Sequence, residues 1–320
     1  MCAASLRYLE WRFFILFVSY DTRSSYLYTS EKLYCPWKKQ LIEGFYHDGS
    51  LLFDEDGRNY IVYGNDEIWI TELNEDLTAP KKDGLHRLLV SDHKNPELGY
   101  EGSHIQKING YYYIFLVHSL RDRWMRTEAC FYSDSLEGEF TGGDVLCDDR
   151  GYCGQGVAQG GIVDTPDGKW YAMLFQDSGA VGRIPILLPV TWKDHFPFFG
   201  QNGHVPEEIE VHSTRPGYIY QPLVGSDDFC NGLLPRWQFN HDPDPRYYHL
   251  DALQGTYTIT TREVCTELTQ AVNTLTQRMS YPSCAAEVTV DASALKEGDV
   301  AGLCALQGCF AAVWITKHHV

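Results

Sequence analysis

The chain has 320 residues, 44% of them apolar and 22% charged, which is the balance of a folded soluble chain with material for one large or two ordinary domains. A formal net charge of −17 argues against nucleic acid or an anionic membrane surface as a partner. Ten cysteines include no CxxC pair and no His/Cys group at zinc spacing, so no structural metal is expected and the thiols read as free.

The longest apolar run near the start is Phe13 to Val18. It is too short for a membrane helix or a signal segment, and Glu10 and Arg12 precede it. It reads as a buried strand in a chain with no leader. Similar aromatic strands recur at 58–63 (RNYIVY), 110–115 (GYYYIF) and 169–175 (KWYAMLF). The interval is about 50 residues, that of a four-stranded propeller blade. Asp56-Gly57, Asn109-Gly110 and Asp167-Gly168 precede three of these strands and supply hairpin turns. An irregular β-sandwich is the alternative reading. The 21 Tyr and 8 Trp suit sugar-binding platforms, but filling β-cores explains them equally well.

Two carboxylates occupy matching places in successive repeats. Asp48 lies in Tyr46-His47-Asp48-Gly49-Ser50, directly before the strand Leu51-Leu52-Phe53. Glu101 lies in Tyr100-Glu101-Gly102-Ser103-His104, at the mouth of a hairpin. Strand starts at matching blade positions point to one central face. A carboxyl pair there suits acid/base work, because one negative charge helps its neighbour hold a proton. His47, beside Asp48, is a candidate ligand contact. Gln159, in Val157-Ala-Gln-Gly-Gly-Ile162, starts another strand on the same face. Arg183, in Gly179-Ala-Val-Gly-Arg, has flanking glycines that permit close approach to a ligand; a structural ion pair is the competing reading. Asp54-Glu55-Asp56-Gly57 reads as a hairpin turn rather than a calcium loop.

After about residue 217 the texture changes. Residues 218–225, including Tyr218–Val224, read as a linker strand. Residues 226–320 read as a second, incomplete all-β sandwich with Thr-rich strands at Thr256–Thr261 and Ala286–Val290. His241 with Asp242 reads as a loop pair.

Together, HDGSLLFDEDGRNYIVYG (47–64), YEGSHIQKINGYYYIF (100–115), GVAQGGIVDTPDGKWYAMLFQD (156–177) and GRIPILLPVTW (182–192) resemble glycoside hydrolase family 43, the β-xylosidase and α-L-arabinofuranosidase family. WQFNHDPD (237–244), NTLTQR (273–278) and GDVAGL (298–303) resemble the concanavalin-like C-terminal domain of one branch. The resemblance implies a five-bladed propeller at 1–217, xylan- or arabinan-derived oligosaccharides as partners, and an inverting mechanism. It implies Glu101 as general acid, Asp48 as the carboxylate that tunes and orients it, and Arg183 as a sugar contact. Gln159 falls where many relatives carry a histidine near a central calcium or water site, so calcium is not expected. No residue matches the family's general base, which belongs to a blade ahead of everything seen here; Asp21 lies past the first strand. The first blade therefore reads as missing, and this chain is expected to be weakly active or inactive and prone to aggregate. A degenerate propeller that only binds carbohydrate, or one that binds protein, are the alternatives.

Overall fold

A computed structural model describes residues 2–34, 36–211, 213–240, 242–280 and 283–318. The chain falls into two compact units, residues 1–178 with 183–211, and residues 179–182 with 212–320. His241 lies outside the described residues.

The first unit is built of four antiparallel sheets, each of four strands in chain order. The first holds β1 (Cys2–Leu9), β2 (Arg12–Ser19), β3 (Ser24–Ser30) and β4 (Lys38–Ile42). The second holds β5 (Ser50–Phe53), β6 (Asn59–Asn65), β7 (Glu67–Leu73) and β8 (His86–Ser91). The third holds β9 (Glu101–Ile108), β10 (Tyr111–Ser119), β11 (Arg126–Ser133) and β12 (Thr141–Leu146). The fourth holds β13 (Ala158–Asp164), β14 (Trp170–Asp177), β15 (Arg183–Lys193) and β16 (Phe196–Phe199). The expected aromatic strands are thus β2, β6, β10 and β14. Asn109 and Gly110 both take positive φ, 51° and 83°, as a two-residue hairpin turn requires.

The first strands of successive sheets lie against one another, β1 with β5, β5 with β9 and β9 with β13. They form the inner wall of a propeller of four blades. Arg7 of β1 ties three of them, donating to the carbonyls of Leu51 and Ile105 at 2.8 Å each and to Ser50 Oγ at 2.8 Å.

Burial on two faces explains the unbroken apolar runs. Ile61 packs with Phe14, Leu16 and Leu27 of the first sheet, whereas its neighbours Tyr60 and Val62 pack with Ile105 and Ile114 of the third. Tyr113 and Phe115 point the other way, onto Leu174, Leu188 and Phe199 of the fourth. A middle blade is covered on both sides, so its strands carry no polar alternation. Burying each such side chain stabilises by about 1.5–3 kcal/mol.

The second unit contains three two-stranded ladders: β17 (Gln238–Phe239) with β20 (Leu275–Thr276), β18 (Tyr248–Asp251) with β19 (Thr256–Ile259), and β21 (Val300–Gln307) with β22 (Cys309–Thr316). Phe229, Trp237, Tyr248 and Tyr257 cluster around β18 and β19, and Asn273 is buried beside them, its side chain joined to the backbone of Asp244. Two expected strands are absent. Residues 218–224 and 286–290 form no strand, because alternation alone makes no strand without a neighbour to complete the ladder. The eight cysteines whose side chains are described are free thiols, and only Cys130 is buried. No helix among the described residues is long and apolar enough to cross a membrane.

Candidate active site

The odd-numbered inner strands all begin at one edge of the propeller, and the even strands end there. Asp48 sits just before β5, Glu101 is the first residue of β9, and Gln159 is the second residue of β13. The matching positions read from the sequence therefore converge.

Asp48 takes φ 47° and is buried. Its Oδ2 accepts the backbone N–H of Gly102 at 3.1 Å. Gly102 has φ +69°, and a Cβ there would meet Gln159 Cγ at 2.7 Å. A glycine is needed both for the backbone twist and for this approach. Burial pushes the Asp48 carboxyl up; the His47 ring opposes that shift and the charge of Glu101 adds to it.

Glu101 Oε2 accepts a hydrogen bond from Asn65 Nδ2 at 2.7 Å and faces His47 Nε2 at 3.4 Å. His47 Nε2 is also 3.7 Å from Asp48 Oδ2. The other ring nitrogen, Nδ1, is 2.6 Å from the phenol of Tyr20, which comes from the turn between β2 and β3. His47, Asp48 and Glu101 thus place one donor atom each within 4.8 Å of one another. The hydrogen bond to Glu101 raises the His47 pKa, burial opposes it, and Asp48 adds to it. His47 spends both ring nitrogens on protein partners.

Gln159 holds positive φ, 69°, and its N–H donates to Glu128 Oε2 at 2.6 Å. Glu128 is fully buried on β11, its Oε1 has no partner among the described residues, and burial drives its carboxyl well above the usual range. The side-chain oxygen of Gln159 accepts from the buried Arg126 guanidinium at 3.4 Å. Arg126 also pairs with Asp177 at 3.0 Å, and Asp177 pairs in turn with Arg183 at 3.2 Å. Both guanidinium groups lie over the Phe175 ring, at 4.7 and 4.4 Å. The Arg183 side chain is 63% exposed. It makes the ion pair the sequence allowed and still opens to solvent, and its charge reaches Asp48.

The sequence reading missed Tyr20, Asn65, Arg126, Glu128 and Asp177. Asn65 ends β6 in a bend fixed by Asp66, whose N–H donates to the carbonyl of Tyr100 at 2.9 Å. A glutamate inside the apolar strand RTEACFYS was the one local signal available, for Glu128. The chemistry on offer at this edge is proton donation and acceptance by a carboxyl pair, flanked by an exposed cation.

A four-bladed array of meandering sheets, with ionisable groups gathered where the inner strands begin, defines a β-propeller of the enzyme type. The family described as "Glycosyl hydrolases family 43" matches residues 1–197, and "Beta xylosidase C-terminal Concanavalin A-like domain" matches residues 226–319. The chain belongs to glycosyl hydrolase family 43 and carries that concanavalin-like domain behind its propeller. A Xylanibacter ruminicola protein is 26% identical over 99% of this chain, which spans 60% of that protein's length. Xylosidase/arabinosidase 43B of Humicola insolens is 26% identical over 90% of this chain and 56% of its own. The structure of a bifunctional GH43-CE protein of Bacteroides eggerthii superposes with TM-score 0.83 at 38% identity, covering 98% of this chain and 41% of the other. The chain is shorter than each of these relatives.

Proposed function

We propose that the site is that of an exo-acting glycosidase on xylan- or arabinan-derived oligosaccharides, a β-1,4-xylosidase, an α-L-arabinofuranosidase or both. The observation that carries this is the convergence of Glu101 and Asp48, from different blades, on His47 Nε2. Glu101 gives its proton to the glycosidic oxygen as the bond from C1 breaks and its electron pair passes to that oxygen. Water adds to C1 from the opposite face and loses its proton to a base, which inverts the configuration. Asp48 orients and tunes the acid, and Arg183 takes sugar hydroxyls.

The base is read as a carboxylate on a fifth blade. Two unpaired apolar faces support that reading. On the first sheet Leu6, Tyr8 and Leu41 are exposed on one face, and on the fourth Val163, Met173 and Phe198 are exposed on another. One more sheet between them would bury both faces and close the ring. Calcium is not part of the reading: the Gln159 oxygen already takes the Arg126 guanidinium, and a cation there would oppose calcium, which needs six to eight oxygen ligands.

The test is hydrolysis of phenyl β-xyloside and phenyl α-L-arabinofuranoside, whose leaving oxygen needs a proton, with and without azide, by this chain and its Glu101→Gln variant. Azide has no proton to lose and so needs no base. Release that requires azide in the parent chain and vanishes in the variant, together with an inverted glycosyl azide, supports both acid and missing base. Sugar that raises the melting temperature without any release points to a propeller that only binds carbohydrate.

A further inference from the structure

We infer that Tyr20 and His47, together with Asn65, are positioning residues that fix which oxygen of Glu101 carries the transferable proton; this rests on the glycosidase reading above. Both N–H donors near the Glu101 carboxyl approach the same oxygen. Asn65 Nδ2 is 2.7 Å from Oε2 and His47 Nε2 is 3.4 Å from it. No described residue donates to Oε1. An oxygen that accepts N–H bonds is the carbonyl-like oxygen of a carboxylic acid, so the proton resides on the other. Oε1 is therefore the donor to the leaving group.

The arrangement holds only if Nε2 of His47 carries a hydrogen. Asn65 has a fixed donor, but a neutral imidazole has one N–H and can place it on either nitrogen. Tyr20 decides between them. Its phenol lies 2.6 Å from Nδ1, and a phenolic O–H that donates there leaves Nδ1 as acceptor and Nε2 as donor. The Tyr20 ring is steadied edge-on by Phe45, with centroids 5.4 Å apart. The groups facing His47 are thus Tyr20 from the first sheet, Asp48 from its own segment and Glu101 from the third sheet. Without the phenol, the imidazole is free to adopt the Nδ1–H form. Its bare Nε2 then attracts the Glu101 proton to Oε2, away from the substrate.

This role predicts a dependence on the leaving group that a structural role does not. A phenyl glycoside needs its departing oxygen protonated, whereas a dinitrophenyl glycoside does not. With azide as nucleophile, Tyr20→Phe and His47→Leu are expected to lower kcat on the phenyl glycoside by about tenfold or more while leaving the dinitrophenyl glycoside within about twofold. His47→Gln, whose amide N–H stands near the Nε2 position, is expected to recover part of the loss. Equal losses on both substrates, or none, would overturn the inference. A second measurement reads the array without turnover: nitrogen NMR of histidine-labelled chain at alkaline pH, with the His47 signals identified by their loss in His47→Leu. The Nε2–H form in the parent chain, shifting toward Nδ1–H in Tyr20→Phe, is the expected result. A parent chain already in the Nδ1–H form overturns the inference. If the parent chain cleaves neither glycoside even with azide, the glycosidase reading fails and the tautomer alone decides whether the array exists.

Discussion

Asp48 and Glu101 are bound to each other through the backbone between them: the residue after Glu101 is Gly102, and its N–H donates to Asp48 Oδ2 at 3.1 Å. A shift of either carboxylate therefore moves the other. The strand start that presents Glu101 is also the donor that holds Asp48 in place.

Gly102→Ala places a methyl group 2.7 Å from Gln159 Cγ in a backbone with φ +69°. The expected cost is about 1–3 kcal/mol of stability, with activity falling more than stability because Asp48 loses its anchor. Denaturant melts beside kinetics on the same preparations check this.

Asp48→Asn separates folding from function. Burial raises the Asp48 carboxyl pKa, so the fold favours the protonated form. That contribution is present below the unfolded carboxyl pKa and is lost as pH rises through the folded value. At neutral pH the neutral amide, whose oxygen can still accept from Gly102, removes this penalty. The variant is expected to melt at or above the parent at neutral pH, with the gap closing in acid, while kcat falls by about a hundredfold.

His47 responds in the same direction, although here the protonated form that the fold favours is the charged one. Its pKa is raised, first by the hydrogen bond to Glu101. The stabilisation is full below the unfolded histidine pKa and is lost as pH rises through the folded value. The melting-temperature difference between the parent chain and His47→Leu should be larger in mild acid than in alkali.

The β1–β2 hairpin turns through Glu10 and Trp11, both in the left-handed region with φ 47° and 64°. Replacing the pair by Asn-Gly is expected to stabilise the chain by about 1 kcal/mol or more, without effect on the site. Thermal melts of the double variant check it.

Local signals were sufficient for some of this protein. The two-residue turns at 56–57, 109–110 and 167–168, the spaced aromatic runs and the position of Asp48 and Glu101 at strand starts were all legible, because turn chemistry and period depend on neighbours in the chain. The partners of those carboxylates were not. Tyr20 and Asn65 reach His47 and Glu101 across 27 and 36 residues of chain, through contacts that exist only once separate blades have packed. Which core each side of β6 enters, and the failure of residues 286–290 to form a strand, were likewise decided by the presence or absence of a neighbouring strand. Spacing and turn chemistry along the chain were enough for the repeating hairpins and the residues offered at their edge. Which donor meets which oxygen was settled when the blades packed, because hydrogen-bond geometry between blades is set by packing and not by spacing along the chain.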